Sequence, residues 1–552
     1  MDIETLIRTL ENNNISIWSE QDKLSVSVPN GGLSDSLRAS IREHKAELLK
    51  RLKSGRLLSR DSGHTPQISV PPNLIYPDSA TITPDMLPLI ALSQADIDRI
   101  VGLVPGGVAN IQDIYALSPL QDGILFHHLL TTVGDPYLMV SQIAFADRTM
   151  LDRFLDALQQ VVDRHDILRT ALAWEGLSEP AQVVWRHAQL SVTEVSLDPG
   201  TASEQLARRF NPRHTRIDLT QAPLLRFFIA QEPDSSRWMM LYLQHHVICD
   251  NITSEMLQDE VAAILSGRRD TLAPSQPFRN LVAQARFGAG ADVQESFFRR
   301  MLGDIDEPTL PFGLSDVHRD GQGIAEYRRM LPQALNDRLR HHARRLGVSL
   351  TSLCHLAFGQ VLARCSGRET VVFGTVLFGR MHTGEGADRA IGPFINTLPL
   401  RLDLDDTPLE QSVRQAHQRL AELLQHEHAS LALAQRCSSV AAPMPLFSVL
   451  LNYRHSRLAG IGTQDTSNHS VQGIEFLGGH AARNNYPCDL SVDDYNHALA
   501  LTLRVVDSLS PERVCDLMQC ALESLVQALD DVPAMPVRQL EVLPAAEREL
   551  LL

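Results

Sequence analysis

The chain has 552 residues, more than one hydrophobic core can organise, so two to four domains are expected. Hydrophobic residues make up 44% and aromatic residues 5%, and the formal charge is −16. That acidity argues against nucleic acid or an anionic membrane as a partner. No run approaches the roughly 18 apolar residues of a transmembrane helix.

The acidic, amphipathic start "MDIETLIRTLENNN" lacks the basic opening and apolar centre of a secretory signal. The seven cysteines, Cys249, Cys354, Cys365, Cys437, Cys488, Cys515 and Cys520, are odd in number and form no CxxC pair. Reduced thiols and a cytoplasmic location fit that pattern.

In chain order, residues 1–53 read as a separate small unit. "IETLIRTLEN" carries apolar residues at 3, 6, 7 and 10, a helical stripe. "ISIWSEQDKLSVSVP" alternates around a polar turn, as a hairpin does. "LSDSLRASIREHKAELLKRL" returns to helical spacing, so the order is helix, hairpin, helix. So few residues make a marginal core alone.

Residues 54–107 are assigned to a linker. They are rich in Pro and Ser without sustained periodicity to about 85, and then carry a short helix in "LSQADIDRIVGLV" and a Gly-Gly turn.

From 108 onward helix and strand patterns alternate, which indicates α/β layers in two lobes, 108–285 and 286–540. "TMLDRFLDALQQVVDRH" is an amphipathic helix with Thr149 as its expected cap. "LLRFFIAQEPDSSRWMMLYLQHHV" reads as two strands around a turn, and a helix restarts at "TSEMLQDEVAAILSG". The second lobe offers a strand at "AEYRRMLP", helices at "ALNDRLRHHARRLG" and "SLTSLCHLAFGQVLARCSG", and a strand at "TVVFGTVL". A further strand at "PLFSVLLNYRH" and a last helix at "PERVCDLMQCALESLVQAL" follow. Residues 541–552 read as the start of a further linker.

The stretch that carries chemistry is "LYLQHHVICDN", residues 241–251. Side chains alternate along a strand, so His245 and His246 point to opposite faces. Metal ligands must converge, which makes a chelating pair the reading least compatible with that geometry. His245 faces the packed side, and His246 lies at the strand end, where an imidazole can face a channel. Taken alone, the stretch admits a catalytic base or two structural histidines with Asp250 turning the loop.

Other segments narrow the choice. "HHVICDN" resembles the HHxxxDG motif of nonribosomal peptide synthetase condensation domains, and its companions follow in order. "LSPLQDGILFHHLL" at 117–130 and "RHDILRTAL" at 164–172 resemble the first and second motifs. "FRNLVAQARF" at 278–287 echoes the fourth, and "IGPFINTLPLRL" at 391–402 is similar to the fifth. "HEHASLALAQR" and "PLFSVLLNYRHS" stand where the last two belong. The tail "LEVLPAAERELLL" resembles the linker into an adenylation domain, and residues 1–53 resemble the docking domains that join synthetase polypeptides.

This resemblance implies two chloramphenicol-acetyltransferase-like lobes in a V around a central tunnel. An acceptor amine there attacks a donor thioester to form an amide, an acyltransferase reaction. His246 matches the second motif histidine and is the expected catalytic group, and His245 is expected to be structural. Asp250 is expected to hold the loop by pairing with an arginine, for which Arg380 in "VLFGRM" is the candidate. Asn251 departs from the motif glycine; Asn tolerates a left-handed backbone, so the turn is expected to survive. Ser118, Gln121 and Asn396, from the first and fifth motifs, and Arg148 are expected to border the substrate tunnel.

No covalently bound cofactor and no metal are expected. Substrates arrive on the 4'-phosphopantetheine of carrier proteins or as acyl-CoA. Expected partners are downstream and upstream peptidyl carrier proteins, an adjacent adenylation domain, and an upstream synthetase polypeptide engaged through residues 1–53. The chain reads as one piece of a longer synthetase that makes a secondary metabolite.

"LSPLQDGILFHH" and "LLNYRHS" lean toward the elongation subtype. An inward-pointing Arg148 at the end of the strand in "YLMVSQIAFADR" would keep open a starter domain that begins a lipopeptide from acyl-CoA. A catalytically inactive recruitment platform is the non-enzymatic alternative. The helices flanking the GGxS in "GGLSDSL" are too short for a carrier fold, with Ser34 expected to cap the helix that follows, and no GxSxG elbow supports a hydrolase.

Overall fold

The computed structural model describes residues 70–552 except 234, 289, 318–322, 380–388, 456–470, 481–485 and 552, together with residues 6, 16–20, 23–27, 40, 41, 43–45 and 48. The chain divides into two compact units, Met1–Gln67 and Ile68–Leu552.

The first unit holds an antiparallel hairpin of β1 (Ser16–Glu20) and β2 (Lys23–Ser27), with Ser16 opposite Ser27 and Glu20 opposite Lys23. Two residues, Gln21 and Asp22, separate the strands in the sequence. Leu6, Ile41 and Leu48, all helical, are buried and lie on the two apolar stripes that flank the hairpin.

In the second unit the strands are, in chain order, β3 (Ile111–Ala116), β4 (Leu138–Phe145), β5 (Thr170–Ala173), β6 (Ala181–Trp185), β7 (Ser191–Glu194), β8 (Leu225–Gln231) and β9 (Trp238–His245). There follow β10 (Ile324–Met330), β11 (Thr370–Leu377), β12 (Asn396–Asp403), β13 (Val449–His455), β14 (Ile474–His480), β15 (Cys488–Asp494) and β16 (Leu499–Val506). They form a three-stranded sheet in the order β3-β6-β5, a five-stranded sheet β14-β4-β9-β8-β7, and a six-stranded sheet β10-β16-β15-β13-β11-β12.

The segment assigned to a linker is shorter than its composition suggests. From residue 70 it is packed: Ile75, Ile82, Leu87, Ile90, Ile97 and Ile100 are buried against Ala171, Val183 and Trp185 of the three-stranded sheet. Ile75, Ile82, Leu87 and Ile90 are covered one at a time along irregular chain, so no period marks them. The helix Gln94–Leu103 within it carries a capping box, in which Ser93 and Asp96 each satisfy the other's backbone N–H.

The five-stranded sheet forms the first lobe with the helices Arg148–Arg164 and Asn251–Leu265. The cap of the former is Asp147, not Thr149: Asp147 Oδ1 accepts the Met150 N–H at 2.8 Å. Its buried stripe of Leu151, Phe154, Leu158, Val161 and Val162 follows the predicted spacing. Each such side chain contributes roughly 1.5–3 kcal/mol on burial.

The six-stranded sheet forms the second lobe, with β13 parallel to both β11 and β15. The helices Gln333–Leu346, Leu350–Ser366, Leu409–Leu424 and Pro511–Asp531 share its core. Leu540 and Val542 also join that core, so the expected boundary at 541 cuts through packed structure.

The second half of the sequence does not stay within its own lobe. β14 belongs to the second half of the sequence but pairs with β4 in the first lobe, Ile474 opposite Phe145. Ala390, Ile391 and Phe394 are likewise buried among first-lobe residues. The second half therefore reaches back twice, and the site described below lies beside one of these crossings. Among the described residues no single helix is long and apolar enough to cross a membrane.

Candidate active site

β9 is fully paired, with β8 on one side and β4 on the other, and ends at His245 opposite Leu138. A strand held on both edges fixes its last residue firmly, and the turn that follows inherits that precision.

His245 is completely buried. Its Nδ1 accepts the Val247 N–H at 3.2 Å, which places the ring proton on Nε2, 3.0 Å from Asp135 Oδ2. The same carboxylate oxygen is 2.6 Å from His128 Nδ1. His128 Nε2 receives the Arg216 guanidinium at 3.0 Å, so its ring proton also faces Asp135. Asp135 Oδ1 accepts the Tyr137 N–H at 3.0 Å. Burial opposes charge on Asp135, but the hydrogen bonds from His128 and His245 prevail and hold its carboxyl well below the usual carboxylate range.

The ligating atoms of His128, Asp135 and His245 lie within 4.8 Å of one another, a spacing a metal ion can use. Here they are satisfied by each other. A divalent cation would have to displace both ring protons beside a guanidinium, so the cluster fits hydrogen bonding and not metal binding.

His246 opens the turn and is half-buried. Its backbone N–H donates to the Tyr137 carbonyl at 2.8 Å. Its Nδ1 lies 2.6 Å from the Cys249 carbonyl, which can only accept. The ring proton is thereby assigned to Nδ1, and Nε2 keeps its lone pair. Burial pushes the imidazole below its ordinary value of 6.5, against the opposing pull of Asp250. The Tyr137 ring stands edge-on, with centroids 6.5 Å apart, and its hydroxyl lies 2.7 Å from His127 Nδ1.

Asp250 is buried and caps the helix Asn251–Leu265: its Oδ1 accepts the Thr253 N–H at 2.8 Å. Oδ2 accepts the Phe394 N–H at 3.2 Å. Thr253 Oγ1 donates to the Gly392 carbonyl at 2.8 Å and accepts the Gly392 N–H at 3.0 Å. These bonds fasten the segment 391–394 onto the histidine turn. Gly392, at φ +146°, is required there, because a Cβ would lie 2.4 Å from the Phe278 ring. Arg380, the candidate partner of Asp250, lies outside the described residues.

Five further expected site residues have defined surroundings. Asn251 is the first residue of its helix, not a left-handed turn residue; among the described residues only Phe312 and Asn496 are non-glycines with positive φ. A glycine's freedom is therefore not what this position demands.

Ser118 caps the helix Pro119–Leu130, and the fully buried Gln121 completes its capping box. Gln121 Nε2 also bonds Gln182 Oε1 at 2.8 Å and the Val247 carbonyl at 2.9 Å. These bonds tie the start of that helix to the histidine turn.

Asn396, also buried, spends its amide on the carbonyls of Glu427 and Ala429, each at 2.8 Å.

Arg148 is not at a strand end pointing inward. It opens the helix Arg148–Arg164 on the surface, bonds Asp152 at 2.8 Å and Glu194 at 2.9 Å, and covers the Trp238 ring at 4.7 Å.

Sequence reasoning missed His128, Asp135, Tyr137 and Arg216. The signal available was "HHLLTTVGDPY", a second histidine pair seven residues before an acid. Nothing local says that this acid meets the histidine of another strand.

Comparison with known proteins places these features in context. The condensation domain family profile matches residues 111–552, and the TubC N-terminal docking domain profile matches residues 3–54. The chain is 55% identical over 491 residues to malpibaldin synthetase of Mortierella alpina, covering 89% of this chain and 9% of that protein. It is 56% identical over 486 residues to malpinin synthetase of the same organism, covering 88% and 6%. It thus spans less than a tenth of either relative's length. Among solved structures, a four-domain nonribosomal peptide synthetase, holo-AB3403, superposes with a TM-score of 0.63 at 19% identity, over 79% of this chain and 34% of that one.

Proposed function

The chain belongs to the condensation domain family of nonribosomal peptide synthetases, and on that premise we propose that it joins a carrier-bound donor thioester to the amine of an aminoacyl group on a second carrier protein. The observation that carries this reading is the single tautomer of His246. With Nδ1–H committed to the Cys249 carbonyl at 2.6 Å, Nε2 is an acceptor held in one direction. Burial keeps the ring unprotonated at neutral pH, as a group that takes a proton must be.

The chemistry balances on that atom. The neutral amine nitrogen attacks the thioester carbonyl carbon, and the C–N bond forms. The nitrogen passes one proton to His246 Nε2, the C–S bond breaks, and the departing phosphopantetheine thiolate recovers that proton. Rate here comes from holding amine and carbonyl in line more than from a strong base.

A carrier-bound donor fits better than acyl-CoA. The docking-domain match at residues 3–54 suits delivery from another polypeptide. The feature that kept a starter domain open, an inward Arg148, is a surface ion pair instead.

Mass spectrometry of products tests the reading. The full chain is given an aminoacyl-loaded downstream carrier and, separately, a panel of acyl-CoAs or acyl and peptidyl groups on an upstream carrier. Amide from carrier-bound donors alone supports the proposal. Amide from acyl-CoA would make this a starter domain, and no amide from any donor would make it a recruitment platform.

A further inference from the structure

The turn that carries His246 is held from both sides by one buried acid. Along one route, Asp135 Oδ1 fixes the Tyr137 N–H at 3.0 Å, and the Tyr137 carbonyl takes the His246 N–H at 2.8 Å. Along the other, Asp135 Oδ2 takes the His245 ring proton at 3.0 Å, and the opposite ring nitrogen receives the Val247 N–H at 3.2 Å. The amides of His246 and of the residue after it thus both trace back to Asp135. We propose that Asp135 is a positioning residue for the amide-forming reaction, setting the direction of His246 through the His245 tautomer and the Tyr137 backbone.

The surroundings leave Asp135 one arrangement. Its side chain is inaccessible to solvent, and its own N–H donates to the Pro212 carbonyl at 2.8 Å. His128 supplies the second ring proton to Oδ2 at 2.6 Å and is itself pinned by Arg216, which also bonds the carbonyls of His128 at 2.7 Å and Gly134 at 2.9 Å. Three donors therefore converge on two carboxylate oxygens, and every donor requires an acceptor there. An amide in place of the carboxylate must turn its NH₂ toward one of them. Facing the histidines, it drives the His245 proton to Nδ1, where the Val247 N–H already points. Facing Tyr137, it pushes away the turn residue whose carbonyl holds the His246 amide. Either way His246 shifts, and a displacement near 1 Å can cost about 10²-fold in rate.

The inference rests on the function proposed above, and the experiment separates the two. Asp135→Asn, His128→Leu and His128→Asn are made in the full chain beside His246→Ala. Hydrogen exchange is followed by mass spectrometry across residues 245–250, and turnover is measured with the donor and acceptor carriers that give product with the unsubstituted chain. Asp135→Asn is expected to exchange about tenfold faster at 246–249 with protection elsewhere unchanged. Its kcat is expected to fall about 10²-fold with KM within threefold. His128→Leu is expected to follow it. His128→Asn, whose amide nitrogen stands where Nδ1 stood and still donates to Asp135, is expected to restore most of the turnover.

Unchanged exchange at 246–249 in Asp135→Asn overturns the proposal, whether or not the chain turns over. So does unchanged kcat in that variant when His246→Ala is inactive. If Asp135→Asn fails to fold, equal behaviour of His128→Leu and His128→Asn overturns it. Full activity of His246→Ala would instead sink the function reading, while the exchange result for Asp135 stands apart from it.

Discussion

The backbone N–H of Phe394 lies 3.2 Å from the Oδ2 of Asp250, so the acid that ends the histidine motif also holds a segment from the other half of the chain. Its other oxygen caps the helix that follows the motif. The two roles are separable, because Asn caps as well as Asp but presents a donor or a single acceptor to Phe394.

Asp250→Ala is expected to lose both roles. The cap is worth roughly 0.5–2 kcal/mol, and a buried N–H left without its acceptor costs roughly 1–3 kcal/mol. Asp250→Asn is expected to keep the cap and show about half that loss in urea unfolding. Equal losses in the two variants would mean that the cap contributes nothing, and no loss in Asp250→Asn would mean that the contact to Phe394 contributes nothing.

Burial holds His246 below 6.5, and the nearby Asp250 charge raises it in opposition. The protonated ring has no lone pair at Nε2, so its loss should show only as pH drops through this depressed value. The acceptor α-amine, ordinarily about 7.7–8.0, is protonated first, so the limb of His246 is expected as a second fall in kcat/KM, below 6.5. Removing the charge in Asp250→Asn removes an upward pull, so the limb is expected to move to lower pH. Movement to higher pH would contradict the electrostatics of the site.

Much of this arrangement was legible in the sequence, and the remainder was hidden for identifiable reasons. β8, β9 and the helix after the histidines announced themselves through alternation and helical spacing, which are local properties. β15 did not: "CDLSVDD" buries Asp489, Asp493 and Asp494, and such a run reads as loop until its partners are known. Those partners lie on other strands; Tyr453 of β13 donates to Asp494 at 2.7 Å and Thr502 of β16 to Asp493 at 3.0 Å. The same holds at the site. His245 and His246 were found because they are adjacent, whereas Asp135 acts across 110 residues. Arg148 was misplaced because the strand before it ends at Phe145, leaving just enough chain to begin a helix on the surface.

A second histidine governs stability in acid. His355 in the helix Leu350–Ser366 is buried; its Nδ1–H donates to the Thr351 carbonyl at 2.8 Å, and Nε2 accepts the Thr375 hydroxyl at 2.7 Å. Burial pushes it down from 6.5 to about 4. Below 6.5 the unfolded chain binds a proton that the folded chain refuses, so stability is full above 6.5 and falls as pH drops toward 4. The fall from this group is about 3 kcal/mol, at 1.36 kcal/mol per pH unit. Unfolding of His355→Gln is expected to show a correspondingly flatter dependence between pH 6.5 and 4. An unchanged slope would mean that other groups set it.

Arg148→Ala tests the corrected placement of that residue. Its side chain is 46% exposed, and its partners Asp152 and Glu194 are exposed too. Such pairs are worth about 0–1 kcal/mol, so unfolding should change by no more than that and donor chain-length preference not at all. A shifted preference would return Arg148 to the donor path.

The most direct test of the central claim is single-turnover amide formation by the full chain and by His246→Ala, with donor and acceptor both loaded on carrier proteins and the product weighed by mass spectrometry. The account predicts product from the unsubstituted chain and a loss of about 10²-fold or more in the variant, within the range by which positioned proton transfer accelerates a reaction. Equal rates from the two chains would contradict it, because Nε2 of His246 would then have no part in making the bond.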